Sequence, residues 1–338
     1  MKALQMNFKP FQAASLAISR RACLQAGCAA GLSGLGFLPA AAQALPEVQT
    51  EMWADAARSR ELPILLRWPQ GKPLGVMVYS HGLGGKNTGG DVWGKAWALS
   101  GLLVVHLQHP GSDAPSLKGG FAAVQKAMHP EQLIARMHDV RFAIAQIQRR
   151  KASGAGGWGG LPTDKLAVGG HSFGARTAML SAGWQRNGFS GADPQPKAFV
   201  AMSPALANKN NLEQSRKEMA AVNRPFLVCT GSLDGEVLGN GETPESRRMV
   251  FDAIPAGKKA LLWLDGADHA TFAGNEKLIP SSLILRREKA TLQAEGSQHA
   301  RIASISTAWL REQLLGQKMD AAMVQAAGLS ATDQFLRA

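Results

Sequence analysis

The chain has 338 residues, 45% hydrophobic and 18% charged, a balance that fits a soluble globular core and excludes a disordered or fibrous chain. The formal net charge is +12, yet the basic residues are scattered and Tyr79 is the only tyrosine, so no nucleic-acid surface of interleaved basic and aromatic residues is expected. No Cys/His cluster has metal-ligand spacing and no glycine loop has phosphate-binding form, so no metal or cofactor is expected.

Residues 1–44 stand apart. They hold Lys2, Lys9, Arg20 and Arg21 but no acid, then an Ala/Gly/Leu run from Ala22 to Leu38, then Ala42-Gln43-Ala44. A basic segment, a moderate apolar segment and an A-x-A site predict a cleaved export signal over 1–44. The apolar run is too short and glycine-rich for a transmembrane span, so no stable span is expected after cleavage. The arginine pair in SRRACL, Ser19 to Leu24, points to the twin-arginine route, an ordinary Sec signal being the alternative. Cys28 follows Gln25-Ala26-Gly27, without the aliphatic residue a lipoprotein anchor requires. The remaining chain, 45–338, is read as a single periplasmic or secreted domain. It keeps a charge of +8, since four of the 37 basic residues and none of the 25 acids leave with the signal. Cys229 is then its only cysteine, so it can form no internal disulfide and packing must hold the core together.

Beyond the signal, short apolar runs alternate with helix-like segments. Strands are predicted at 62–68, 75–80, 102–108, 165–169, 197–203, 226–231 and 259–264, most of them buried on both faces. Residues 131–150 repeat apolar side chains at Leu133, Ile134, Met137, Val140, Phe142, Ile144 and Ile147, close to a helical period. Shorter helices are predicted after Phe173, near 211–222 and near 302–315. Residues 153–160 (SGAGGWGG) read as a flexible surface loop, and 274–300 as an unusually long connection. Alternation of this kind implies an α/β fold with a mostly parallel central sheet and helices on both faces.

The chemistry gathers where strands end. AVGGHSFGAR, residues 167–176, runs from a strand through Gly170-His171-Ser172-Phe173-Gly174 into a helix, with Ser172 at the apex of a tight turn. A serine hydroxyl is a poor nucleophile until a base, itself oriented by an acid, takes its proton. His269 in LLWLDGADHATF follows a later strand and is the expected base. Asp234 in FLVCTGSLDGEV, one strand earlier, is the expected acid. Asp268 is set aside as too close in sequence to orient its neighbour. The oxyanion needs two backbone N–H donors, expected from Phe173 and from Leu83 in VMVYSHGLGG. His81, Trp93, His171, Phe173 and Phe272 are candidates to line a pocket, with core packing the alternative for the aromatic ones. His106 and His109 flank a strand end, as pocket or packing residues, and His129, His138 and His299 are read as structural.

LRWPQGKPLGVMVYSHGLGG, LLVVHLQHPGSD and GHSFGA together resemble the platelet-activating-factor acetylhydrolase branch of the α/β-hydrolases and the bacterial proteins labelled predicted dienelactone hydrolases. The resemblance runs from about Glu51 to Phe272. It implies an α/β-hydrolase fold, Ser172 and His269 as nucleophile and base, and Leu83 and Phe173 as oxyanion donors. The chain departs from the branch in two places. The animal acetylhydrolases carry their acid after the strand that follows the nucleophile helix, where this chain reads Val200-Ala201-Met202-Ser203-Pro204, so the acid falls to Asp234. Dienelactone hydrolases use a cysteine nucleophile, and here the position is Ser172. The expectation is a serine hydrolase of carboxylic esters, short-acyl esters first. Polyester or cutin-type hydrolysis and phospholipid deacetylation are the alternatives, with small or polymeric esters as substrates. From another class, a non-catalytic binding protein of the same fold is the alternative.

Overall fold

The structure, a computed structural model, describes residues 45–275 and 287–338 apart from positions 187, 209, 238 and 240. The export-signal expectation on 1–44 lies outside the described residues, as does the 276–286 part of the long connection.

The chain opens with an antiparallel pair, β1 (Glu47–Asp55) and β2 (Arg60–Trp68), followed by β3 (Gly75–Ser80), α1 (Asp91–Leu99) and β4 (Leu102–Leu107). After the short α2 (Phe121–Ala127) and the long α3 (Pro130–Ser153), β5 (Leu166–His171) leads directly into α4 (Phe173–Ala182). A two-residue hairpin, β6 (Gln185–Arg186) and β7 (Phe189–Ser190), precedes β8 (Ala198–Met202) and α5 (Leu212–Met219). The chain closes with β9 (Phe226–Leu233), α6 (Pro244–Ala253), β10 (Lys259–Asp268), α7 (Lys289–Leu315), α8 (Ala321–Ala326) and β11 (Gln334–Arg337).

Among the described residues, nine strands form one sheet in the order β1-β2-β4-β3-β5-β8-β9-β10-β11. The six from β4 to β10 run parallel, while β1, β2 and β11 join antiparallel at the edges. The molecule is therefore α/β with a large, mostly parallel sheet. Period-2 alternation divides the strand side chains between two cores. Val76, Val78, Val105, Val168, Phe199 and Val228 face one core with α3, α4 and α6. Met77, Tyr79, Val104, Val200, Cys229 and Leu262 face the other with α1 and α7. Both faces are covered, which is why the parallel strands read as unbroken apolar runs.

Three expectations need correction. Residues 153–160 are not simply a flexible surface loop, because Trp158 packs inward against Trp53 and Trp68, with ring centroids 6.1 and 5.1 Å apart. The connection at 274–300 is shorter than read, since α7 begins at Lys289. Gly296 and a largely polar composition over 290–299 hide that first half of the helix from a periodicity argument. The edge strands β1 and β11 also escape the sequence reading, because most of their side chains point to solvent and leave no apolar run.

Candidate active site

Between the last residue of β5 and the first of α4, Ser172 is forced into φ 55° and ψ −110°. A non-glycine residue there costs roughly 1–3 kcal/mol and persists only when its surroundings overdetermine it. The surroundings do so here. The Ser172 N–H donates to the Met202 carbonyl at 2.9 Å, and its carbonyl accepts from the Arg176 N–H at 3.1 Å. A Cβ on Gly174 would collide with the carbonyl oxygens of Ser80 and His81, and one on Gly170 with the Gly174 backbone. Glycine at both positions lets the helix start press against the end of β3.

Two strand ends away, the structure brings the three predicted side chains together. His269 Nε2 lies 3.0 Å from Ser172 Oγ, and His269 Nδ1 lies 3.0 Å from Asp234 Oδ1. Asp234, just past β9, is fully buried and ionised. Burial alone would raise its pKa, but the Arg247 guanidinium and the bonds from His269 and Ser203 outweigh it and hold the carboxyl below its ordinary range. His269 is pushed below the usual histidine value, first by burial and then by the Arg247 charge, against the pull of Asp234. An ionised carboxylate accepts only, so Nδ1 carries the ring proton and Nε2 presents a lone pair to the hydroxyl of Ser172.

Two residues of this site have no role in the sequence reading. Arg247 on α6 is buried; its Nε lies 2.8 Å from Asp234 Oδ1 and donates to the Asp234 carbonyl, Nη1 reaches the carbonyls of Ser203 and Pro204, and Nη2 that of Gly235. It ties the turn after β8 to the turn after β9. Ser203, at the end of β8, places its hydroxyl between Asp234 and His269. A sequence signal exists for Arg247, which shares the buried face of α6 with Val250 and Phe251, where a charge is out of pattern. For Ser203 the only signal is its place just past a buried strand.

The expected oxyanion loop, 81–85, lies beside the serine turn, with Gly82 leaving room for the His171 ring. The Gly84 and Gly85 amides bond to the carbonyls of Ser112 and Gly82. Phe173 is the first residue of α4, where amides have no helical acceptor. Beneath the loop runs a buried polar network. Arg136 on α3 donates to the His81 carbonyl, to Ser112 Oγ at 2.9 Å and to Thr177 Oγ1 at 3.1 Å. His109 bonds Asp139 at 2.9 Å and Ser80 Oγ at 3.0 Å, a second Ser-His-Asp chain with every member buried. Burial, then the Arg136 charge, lowers the His109 pKa to about 4. Neutral His109 then donates from Nδ1 to Asp139 and accepts at Nε2 from Ser80.

The pocket candidates are all buried. Trp93 and Phe272 are fully buried in the core under α1 and α7, where Trp93 Nε1–H donates to the Phe272 carbonyl at 3.3 Å. His81 is buried inside its own loop and accepts the His109 N–H at Nε2. His171 packs its ring 4.8 Å from that of His269 and donates from Nε2 to the His269 carbonyl at 3.1 Å, bracing the His269 loop. Phe173 is buried beneath the Arg136 guanidinium. His106 is buried, its pKa lowered to about 3 by burial and then by Arg67. His299 Nε2 donates to the Thr271 carbonyl at 3.0 Å. Asp268, the neighbouring carboxylate, is held by Arg287 at 2.7 and 3.0 Å and by the Thr271 amide at 2.9 Å. Among the described residues no group of three or more His, Cys, Asp or Glu side chains is arranged to hold a metal ion, and no helix is long and apolar enough to cross a membrane. No family model and no curated protein matches the chain.

Proposed function

We propose that this protein is a serine hydrolase of the α/β-hydrolase fold, exported to the periplasm or beyond, that cleaves carboxylic esters through an acyl-enzyme. The observation that carries the reading is the unbroken chain from Ser172 Oγ through His269 to Asp234, 3.0 Å at each link. His269 Nε2 takes the proton of Ser172 as its oxygen attacks the ester carbonyl. Asp234 holds the ring and stabilises the imidazolium that forms. The amides of Leu83 and Phe173 bind the tetrahedral oxyanion. The imidazolium then protonates the departing alkoxide, and a water repeats the sequence on the acyl group.

The test is labelling of the folded protein by a fluorophosphonate. Ser172 is expected to label in the wild type and not in Ser172→Ala. Asp234→Asn is expected to keep KM and lose about 10⁴ in kcat, because the amide donates to Nδ1 and turns the ring to the wrong tautomer. A well-folded protein that does not label would instead be a binding protein of this fold. Release of p-nitrophenol from acetate through long-chain esters, beside polyester-film and acetylated-phospholipid assays, ranks the substrate classes, with short-acyl esters expected first.

A further inference from the structure

Ser203 does more than fill space at the end of β8. Its backbone sits at φ 51°, in the left-handed region that a serine rarely adopts, and its side chain is fully buried. The backbone is fixed from both sides. Its N–H donates to the Cys229 carbonyl at 2.7 Å, and its carbonyl accepts from Arg247 Nη1 at 3.2 Å. So fixed, the hydroxyl oxygen lies 2.8 Å from Asp234 Oδ1 and 2.7 Å from His269 Nδ1, closer to the ring than the carboxylate itself.

The proton directions follow from what each group can do. Asp234 is ionised and only accepts, so the Ser203 hydroxyl donates to Oδ1. A lone pair of the same oxygen then faces Nδ1, which must carry hydrogen. The Nδ1–H is shared between Asp234 and Ser203, and two acceptors fix the plane of the ring better than one. Thr230 Oγ1 holds the other carboxylate oxygen, Oδ2, at 2.8 Å, so the acid cannot swing to compensate if Ser203 is lost.

We infer that Ser203 is a positioning residue for the reaction proposed above, its hydroxyl bridging Asp234 to the imidazole and holding His269 in the tautomer whose lone pair faces Ser172. The inference rests on the serine-hydrolase reading. It predicts a residue whose removal slows chemistry while leaving substrate binding and folding intact.

Ser203→Gly and Ser203→Ala test it in the full chain. Glycine removes the hydroxyl and also relieves the positive φ, so a purely structural serine would give a stable, fully active variant. The expected result is a kcat on a p-nitrophenyl ester lowered about tenfold to a hundredfold in both variants, the loss of one hydrogen bond to a charged pair. KM is expected to stay unchanged, and the Ser203→Gly melting temperature to be no lower than that of the wild type. Without the hydroxyl to share the carboxylate charge, the imidazolium is better stabilised, and the acid limb of kcat/KM is expected to move to higher pH. An NMR spectrum of ¹⁵N-histidine-labelled wild-type protein checks the premise without any variant. It should show His269 protonated at Nδ1 at neutral pH, and an Nε2–H tautomer overturns the inference. Failure of the wild type to label at Ser172 overturns this inference together with the hydrolase reading. Normal labelling with unchanged kcat and acid limb in Ser203→Gly overturns this one alone.

Discussion

At the scale of single residues, the site depends on one buried cation. Arg247 stabilises the Asp234 charge and opposes a second positive charge on His269, so it keeps that imidazole neutral further into acid. The pH dependence follows with a definite sign. The proposed reaction needs neutral His269, so rate is expected to be lost as pH falls through its pKa. Because burial and Arg247 place that pKa below the usual ~6.5, the acid limb of kcat/KM in the wild type is expected below that of an ordinary histidine. Arg247→Gln removes the repulsion, and its acid limb is expected to move upward in a pH–rate profile. That Ser172, Asp234 and His269 meet was legible in the sequence because each lies just past an apolar run, in the order the proposed chemistry requires. Arg247 and Ser203 were not, because what they touch is decided only when α6 and the end of β8 meet the turn after β9. The same limit governs Trp93 and Phe272, since an aromatic residue near the right motifs reads the same whether it faces a cleft or a core.

At the scale of elements, α3 does two jobs with one stripe. Leu133, Met137, Val140, Ile144 and Ile147 anchor it to the sheet, and Arg136 and Asp139 on the same buried face support the loop that bears Leu83. Asp139 receives His109, Arg58 and Arg60. Burial would raise its pKa, but His109 and Arg60 overcome this and bring it to about 2. Its stabilising contribution is therefore complete above the unfolded value of ~3.9 and is lost as pH falls from there towards 2. Asp139→Asn removes the buried carboxylate that holds two partly exposed arginines, of which Arg58 keeps Asp55. It is expected to lower unfolding free energy by about 1–3 kcal/mol in urea denaturation at pH 7, with the deficit shrinking as the wild type is acidified through that window. The helical period of α3 is plain in the sequence, but its charged pair reads as solvent-facing until the fold shows the partners.

At the scale of the molecule, alternation of apolar runs and helical segments was enough to give an α/β class with a mostly parallel sheet. It could not give the extent of the sheet. The central strands are buried on both faces and announce themselves by composition, whereas β1 and β11 are recruited by backbone pairing that composition does not record. β11 has a clear structural task, since it pairs antiparallel with β10, the strand leading to His269. An uncovered strand edge is a template for association with another chain. Truncation after Asp333 keeps the Asp333 contacts to Asp265 and Arg301 but opens that edge. The shortened chain is expected to melt lower and to scatter light at concentrations where the full chain stays clear.

Three residues other than glycine carry a positive φ among those described, and two of them, Ser172 and Ser203, sit at the heart of the site. A selection scheme that rewarded heat tolerance alone would favour glycine at both positions, because each change lets the backbone relax. The winners of such a screen would be sturdier proteins that lack the hydroxyl the proposed reaction needs. Any programme to harden this protein should hold those two codons fixed and look for its gains elsewhere.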